Sequence, residues 1–110
     1  MDKIVERNLL YDFYGELLTE HQKKIYEDAV YGDYSLSELA QEYNVSRQGI
    51  HDLIKRCDKI LSEYEEKLHM IERFNVIKKD AENIIGISKN IDADGVDNIR
   101  ALASHIVESL

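Results

Sequence analysis

Apolar residues recur along this chain at the three- and four-residue spacing of a helix, and the pattern breaks into segments. Leu9, Leu10, Phe13, Tyr14, Leu17 and Leu18 give a first helix, from about Asp2 to Leu18, one apolar face. Gly15 inside it costs about 1 kcal/mol against Ala and leaves room for a close neighbour. Thr19 opens a second helix, and Gln22 three residues on completes a capping box. Ile25, Tyr26, Ala29 and Val30 form its inner side. Gly32 stands where a left-handed residue would end that helix. Ser35 and Glu38 then repeat the capping box.

The stretch from Ser35 to Leu61 reads as a helix-turn-helix. Leu36, Leu39 and Ala40 line a short helix, and Ala40 is small where two helices must cross closely. Tyr43, Asn44 and Val45 form the turn, with Asn44 in the left-handed region and Val45 as an apolar plug beneath it. Ser46 caps the next helix, whose buried face is Ile50, Leu53 and Ile54. Arg47, Gln48, His51, Asp52 and Lys55 fall on the opposite face. Long polar arms near the N-terminus of a second helix suit a DNA major groove.

The apolar spacing does not stop there. It runs on through Cys57, Ile60, Leu61, Tyr64, Leu68 and Ile71 without a breaker, which predicts one long helix from Ser46 to about Phe74. Leu61, Tyr64, Leu68 and Ile71 alternate by three and four, as in a short coiled-coil seam, and could pair with a second copy or lie against the first helix. From Asn75 the chain is helical again, with Ile77, Ala81, Ile84 and Ile85 apolar, and Gly86 and Ser88 loosen it. After the loop KNIDADG, Asp94 is the expected cap of a last helix with Val96, Ile99, Leu102, Ala103 and Ile106 on its inner stripe. The organisation expected is a helix-turn-helix domain over 1–74 and a helical hairpin over 75–110.

Composition narrows what this all-α chain can do. Its 110 residues suffice for one modest core, and no apolar run reaches the roughly 20 residues needed to span a bilayer. The N-terminal MDKIVERNLL lacks the apolar centre of a signal peptide, and the single cysteine, Cys57, cannot form an internal disulfide. These features suggest a cytoplasmic protein. A formal net charge of -8 opposes DNA binding at long range, although salt screens it beyond about 8 Å. The local balance therefore decides. Along the second helix of the motif, Arg47, Lys55, Arg56 and Lys59 stand against Asp52 and Asp58.

Other chemistry is weaker in the pattern. Asn90, Asp92, Asp94 and Gly95 echo the start of a calcium loop, but the twelfth position, where a bidentate Glu is needed, is Ala101. A turn with an N-cap fits these residues better. Glu65, His69 and Glu72 share a helix face without a second ligand-bearing helix, so exposed ion pairing near Lys67 and Arg73 is expected rather than a metal site. Cys57 reads as a small buried hydrophobe. The sequence holds no glycine-rich phosphate loop and no nucleophile with a base and an orienting group, so neither a cofactor nor catalysis is expected. Protonation of His51 would add positive charge to the outward face near neutral pH.

The segment LLTEHQKKIYEDAVYGDYSLSELAQEYNVSRQGIHDLIKRCDKIL resembles region four of the sigma factors of bacterial RNA polymerase, a helix-turn-helix module that reads promoter DNA. More closely, NLLYDFYGELLTEHQKKIY, GDYSLSELAQEYNVSRQGIHDLIKR and YEEKLHMIERF look like the YlxM family of small bacterial proteins. The resemblance covers about the first three quarters of the chain. It implies a sigma region-four-like fold and a DNA-binding, transcription-regulating role. It also implies a link with the signal recognition particle pathway and its GTPases. By analogy, Ser46, Arg47, Gln48, His51, Asp52 and Lys55 would face bases and phosphates, with Arg56 and Lys59 holding further phosphates. The alternative is a protein- or RNA-interaction module of the targeting machinery. A homodimer through Tyr64, Leu68 and Ile71 is a further expectation.

Overall fold

The computed structural model describes residues 2–89 and 91–109, the side chain of Ser109 excepted. It is helical throughout, with no strand among the described residues. The helices are α1 (Lys3–Tyr14), α2 (Glu20–Val30), α3 (Leu36–Glu42), α4 (Arg47–Leu68), α5 (Met70–Ser88) and α6 (Ala93–Ser109), with a 3-10 turn at Gly15–Leu17. The chain divides into two compact units, the first ending at Leu68 and the second beginning at His69. The sequence pattern had placed this change at Phe74.

In the first unit the caps set the boundaries. Asp2 caps α1 through a bond from the Ile4 N–H, and both capping boxes form, Thr19 with Gln22 and Ser35 with Glu38. Two expectations fail locally. The first helix does not run on to Leu18: it tightens into the 3-10 turn, which turns Leu17 outward and buries Leu18. Gly32 does not adopt a positive φ; α2 ends at Tyr31 with φ -110. Glycine is required there for space instead, because a Cβ would lie 2.6 Å from the Asp28 carbonyl oxygen.

The core of this unit has two parts. Ile25, Leu39, Ala40 and Ile50 form a cluster where α2, α3 and α4 meet, flanked by Ala29, Leu36, Tyr43, Leu53 and Ile54. Tyr14, Leu18, Tyr26, Cys57 and Leu61 are buried where α1 and α2 meet α4. Burial pushes the Cys57 thiol up from its usual pKa, as expected of a small hydrophobe away from water. The ring of Tyr64 stacks on Tyr14 at 6.0 Å, and the Tyr14 hydroxyl donates to Glu65 Oε1 at 2.5 Å. Tyr64 is thus used within the chain, against α1, and Leu61 is fully buried, while Leu68 is exposed and Ile71 is buried. Glu65 accepts from a tyrosine of α1.

The expected helix from Ser46 to Phe74 is two helices. His69 has φ 55, a left-handed backbone that cannot continue an α-helix. Among non-glycine residues, Asn, Asp and His are the ones enriched in that region. His69 lies 3.2 Å from Glu72.

The second unit is the α5–α6 hairpin. Ile71, Ile77, Ala81, Ile84 and Ile87 of α5 turn inward to differing degrees, with Ile99, Leu102 and Ile106 of α6. Ile85, Val96 and Ala103, expected inside, are exposed. The last helix is capped by Asp92, not Asp94: Asp92 Oδ1 accepts the Gly95 N–H at 2.7 Å, and Asp94 sits within the first turn. Asn90, the first position of the calcium-loop echo, lies outside the described residues. Buried Asp80 of α5 accepts a hydrogen bond from His105 Nδ1 of α6. No group of three or more metal-ligating side chains occurs among the described residues, and none of the helices searched is long and apolar enough to cross a membrane.

Candidate nucleic-acid interface

The turn between α3 and α4 is built by the residues predicted for it, with one exchange of roles. Asn44 takes φ 55, and the Val45 N–H returns to the Ala40 carbonyl at 3.0 Å, which closes α3. Val45 is not the plug: the residue is 45% exposed. Tyr43 packs on the core in its place, and its hydroxyl donates to Asp28 of α2 at 2.7 Å. A ring with a polar tip can fill the gap and still satisfy its oxygen at the rim, which valine cannot.

Ser46 then caps α4, its Oγ accepting the Gly49 N–H at 2.9 Å. A Cβ on Gly49 would approach that Oγ to 3.1 Å, so the glycine that weakens the helix also makes room for its cap. No acidic residue lies in the first turn of α4. The positive end of the helix dipole and its free N–H groups are therefore unopposed there, a favourable place for an anion.

Ser46, Arg47, Gln48, His51, Asp52, Lys55, Arg56 and Lys59 are all exposed. By the helical period, Gln48, Asp52, Lys55 and Lys59 run down the middle of the outer face. Arg47 and His51 lie along one edge and Arg56 along the other. Ile50, Leu53, Ile54 and Cys57 point the opposite way, into the core. Arg47, Lys55 and Arg56 form no ion pair among the described residues, whereas Lys59 lies 4.0 Å from Glu63. Gln48 Nε2 donates to Asp52 Oδ1 at 2.9 Å, and His51 Nδ1 stands 3.8 Å from the same oxygen.

Two features of this face were not legible in the local pattern. Asp58, counted against the cations in the sequence, is turned toward α1, where Arg7 neutralises it. Leu36 of α3 joins Arg47, Gln48 and His51 around a shallow recess at the head of α4. Both depend on which helices pack together, and Arg7 and Asp58 are 51 positions apart.

A short helix, a tight left-handed turn and a second helix with its polar N-terminal face free define a helix-turn-helix protein. The family profile described as "Putative helix-turn-helix protein, YlxM / p13 like", UPF0122, matches residues 1–97. The chain belongs to this family. It is 46% identical over 92 residues to a UPF0122 protein of Acetivibrio thermocellus, covering 84% of this chain and 79% of the relative. A UPF0122 protein of Desulforamulus reducens is 36% identical over 105 residues, 92% and 90% of the two chains. One from Halalkalibacterium halodurans is 47% identical over 74 residues, 67% and 68% of the two.

Proposed function

We propose that this protein is a DNA-binding regulator that lays the outer face of α4 in the major groove. The observation that carries the reading is the set of exposed cations on α4, Arg47, Lys55 and Arg56, without carboxylate partners among the described residues, on a helix whose first turn holds no acid. Arg47 and Gln48 reach base edges, while Lys55, Arg56 and Lys59 hold phosphates. With no more than four such cations, the salt dependence is modest: the slope of log K against log salt is about -3 to -4. Fluorescence anisotropy on duplex DNA at two salt concentrations tests this. Arg47→Ala is expected to weaken a specific site by about 1–3 kcal/mol, and Lys55→Ala, at a phosphate, to reduce the slope by about one. Unchanged affinity, or no salt dependence in the native protein, removes the reading.

A second reading, a module of the signal recognition particle pathway, is favoured by the acidity elsewhere. The net charge is -8, and the groove between α5 and α6 is bordered by Glu82, Asp92 and Asp94 with no Lys or Arg lining it. Such a surface suits a cationic protein such as an RNA-binding GTPase. Capture of the particle's GTPase by the purified chain after nuclease treatment would favour this role; capture abolished by nuclease would not. Self-association through Tyr64, Leu68 and Ile71 is decided by light scattering, where a monomer at high concentration excludes it.

A further inference from the structure

We infer that Asp52 is a positioning residue that fixes the amide of Gln48, so that α4 selects adenine at one position of its DNA site. The inference rests on the DNA-binding reading above and specifies what that face recognises.

The starting point is a residue in the wrong place for a polyanion. Asp52 is exposed in the middle of the outer face, where it repels phosphate. Lys55 and Arg56 stand three and four residues further along, the spacing at which a helix pairs opposite charges. Neither forms an ion pair with it. Its hydrogen-bond partner is Gln48, four residues before, at 2.9 Å. A carboxylate only accepts, so the amide must present nitrogen to Asp52, and its orientation follows from that.

The consequence is chemical. Gln48 Nε2 carries two hydrogens. One is given to Asp52, which leaves the other hydrogen and Oε1 side by side and outward. That donor–acceptor pair matches the N7 acceptor and N6 donor of adenine in the major groove. Guanine offers two acceptors at the same places and would set O6 against Oε1. A free glutamine could rotate its amide to answer other bases; one held by Asp52 cannot do so without losing its bond. Gln48 lies at the second position of α4, among the N-terminal residues that a reading helix brings to base edges. The carboxylate thus gives up some general affinity for DNA in exchange for discrimination.

Selection from random-sequence duplexes with the full chain tests this, using the native protein, Gln48→Ala, Asp52→Ala and Asp52→Asn. The native protein is expected to enrich adenine at one fixed position, with a preference over guanine on the order of tenfold. Gln48→Ala should lose the preference at that position alone. Asp52→Ala should lose most of it while binding unselected duplex more tightly, because a negative charge has gone. Asp52→Asn keeps an acceptor oxygen but can also donate, so it should restore part of the adenine preference without restoring the charge. A general structural role for Asp52 would not separate Ala from Asn in this way. Duplex bound with an adenine preference that survives Gln48→Ala or Asp52→Ala, or with none at all, overturns this inference and leaves DNA binding standing. No binding of any duplex overturns both.

Discussion

The guanidinium of Arg7 closes on the carboxylate of Asp58 with two bonds, Nε to Oδ1 at 3.1 Å and Nη2 to Oδ2 at 3.0 Å. The hydroxyl of Tyr26 joins them, accepting from Arg7 Nε at 2.9 Å and donating to Asp58 Oδ1 at 2.5 Å. Arg7 also lies over the Tyr26 ring, 5.3 Å from its centre. One cluster therefore ties α1 and α2 to α4 and cancels an acid on the helix that carries the candidate interface.

That second effect can be separated from the first. Both side chains of the pair are more than a third exposed, so the ion pair itself contributes at most about 1 kcal/mol to folding. Arg7→Ala is expected to cost about that much in urea denaturation and to weaken binding of duplex DNA several-fold at low salt, since Asp58 is then uncompensated. Asp58→Asn should leave DNA affinity equal to or above the native value. Equal affinity for Arg7→Ala and native protein at low salt would mean that Asp58 is too far from the bound phosphates to matter.

Val45 and Ile50, both apolar residues of the motif, should respond very differently to truncation. Ile50 is fully buried between α2, α3 and α4, and truncation to Ala leaves a cavity costing about 2–5 kcal/mol. Val45 is exposed, and Val45→Ala should change stability by less than about 0.5 kcal/mol. Chemical denaturation of both variants checks this. Comparable losses would show that Val45 is a core residue after all.

Much of the local chemistry was legible in the sequence where a short-range bond decided the outcome. The capping boxes at Thr19 and Ser35, the left-handed Asn44 and the Ser46 cap all form as the residue types require. The polar face of α4 also follows from spacing alone. What could not be read are outcomes set by competition between equally suited residues or by contacts between distant parts. Val45 and Tyr43 are both apolar enough to plug the turn, and Asp28, fifteen residues earlier, favours the tyrosine by accepting its hydroxyl. Asp92 and Asp94 are equally good caps by composition, and the first wins where α6 actually starts. The break at His69 has no glycine or proline to announce it. Nothing local placed Arg7 against Asp58.

Alkaline pH should loosen the first unit through its tyrosines. Burial, then the hydrogen bond to Asp28, pushes the Tyr43 phenol up to about 12. Burial, followed by bonds to Glu27 and Asp58, also raises Tyr11 and Tyr26. Each phenol is thus easier to ionise in the unfolded chain, where its pKa is near 10. Between pH 10 and about 12 the native state holds more protons than the unfolded one, so stability is full below pH 10 and falls as pH rises. Melting followed by circular dichroism should show this decline, less steep in Tyr43→Phe. A melting temperature flat across the interval would contradict it.

The hairpin depends on one buried acid. Asp80 is only 8% exposed on α5, and a carboxylate taken from water needs its hydrogen bonds to offset the loss of hydration. His105 of α6 supplies one through Nδ1. Removing that donor leaves the acid buried with a lost partner, a cost of about 1–3 kcal/mol borne by the second unit. His105→Ala is therefore expected to speed limited proteolysis within α5 and α6 while the first unit, through Leu68, survives as a fragment. Asp80→Leu removes the charge with a residue of similar size and should cost less than His105→Ala, because no acid is left stranded. If His105→Ala is cleaved no faster than native protein, the bond does not hold the hairpin together. If Asp80→Leu proves the worse of the two, the carboxylate itself stabilises the fold beyond its bond to His105.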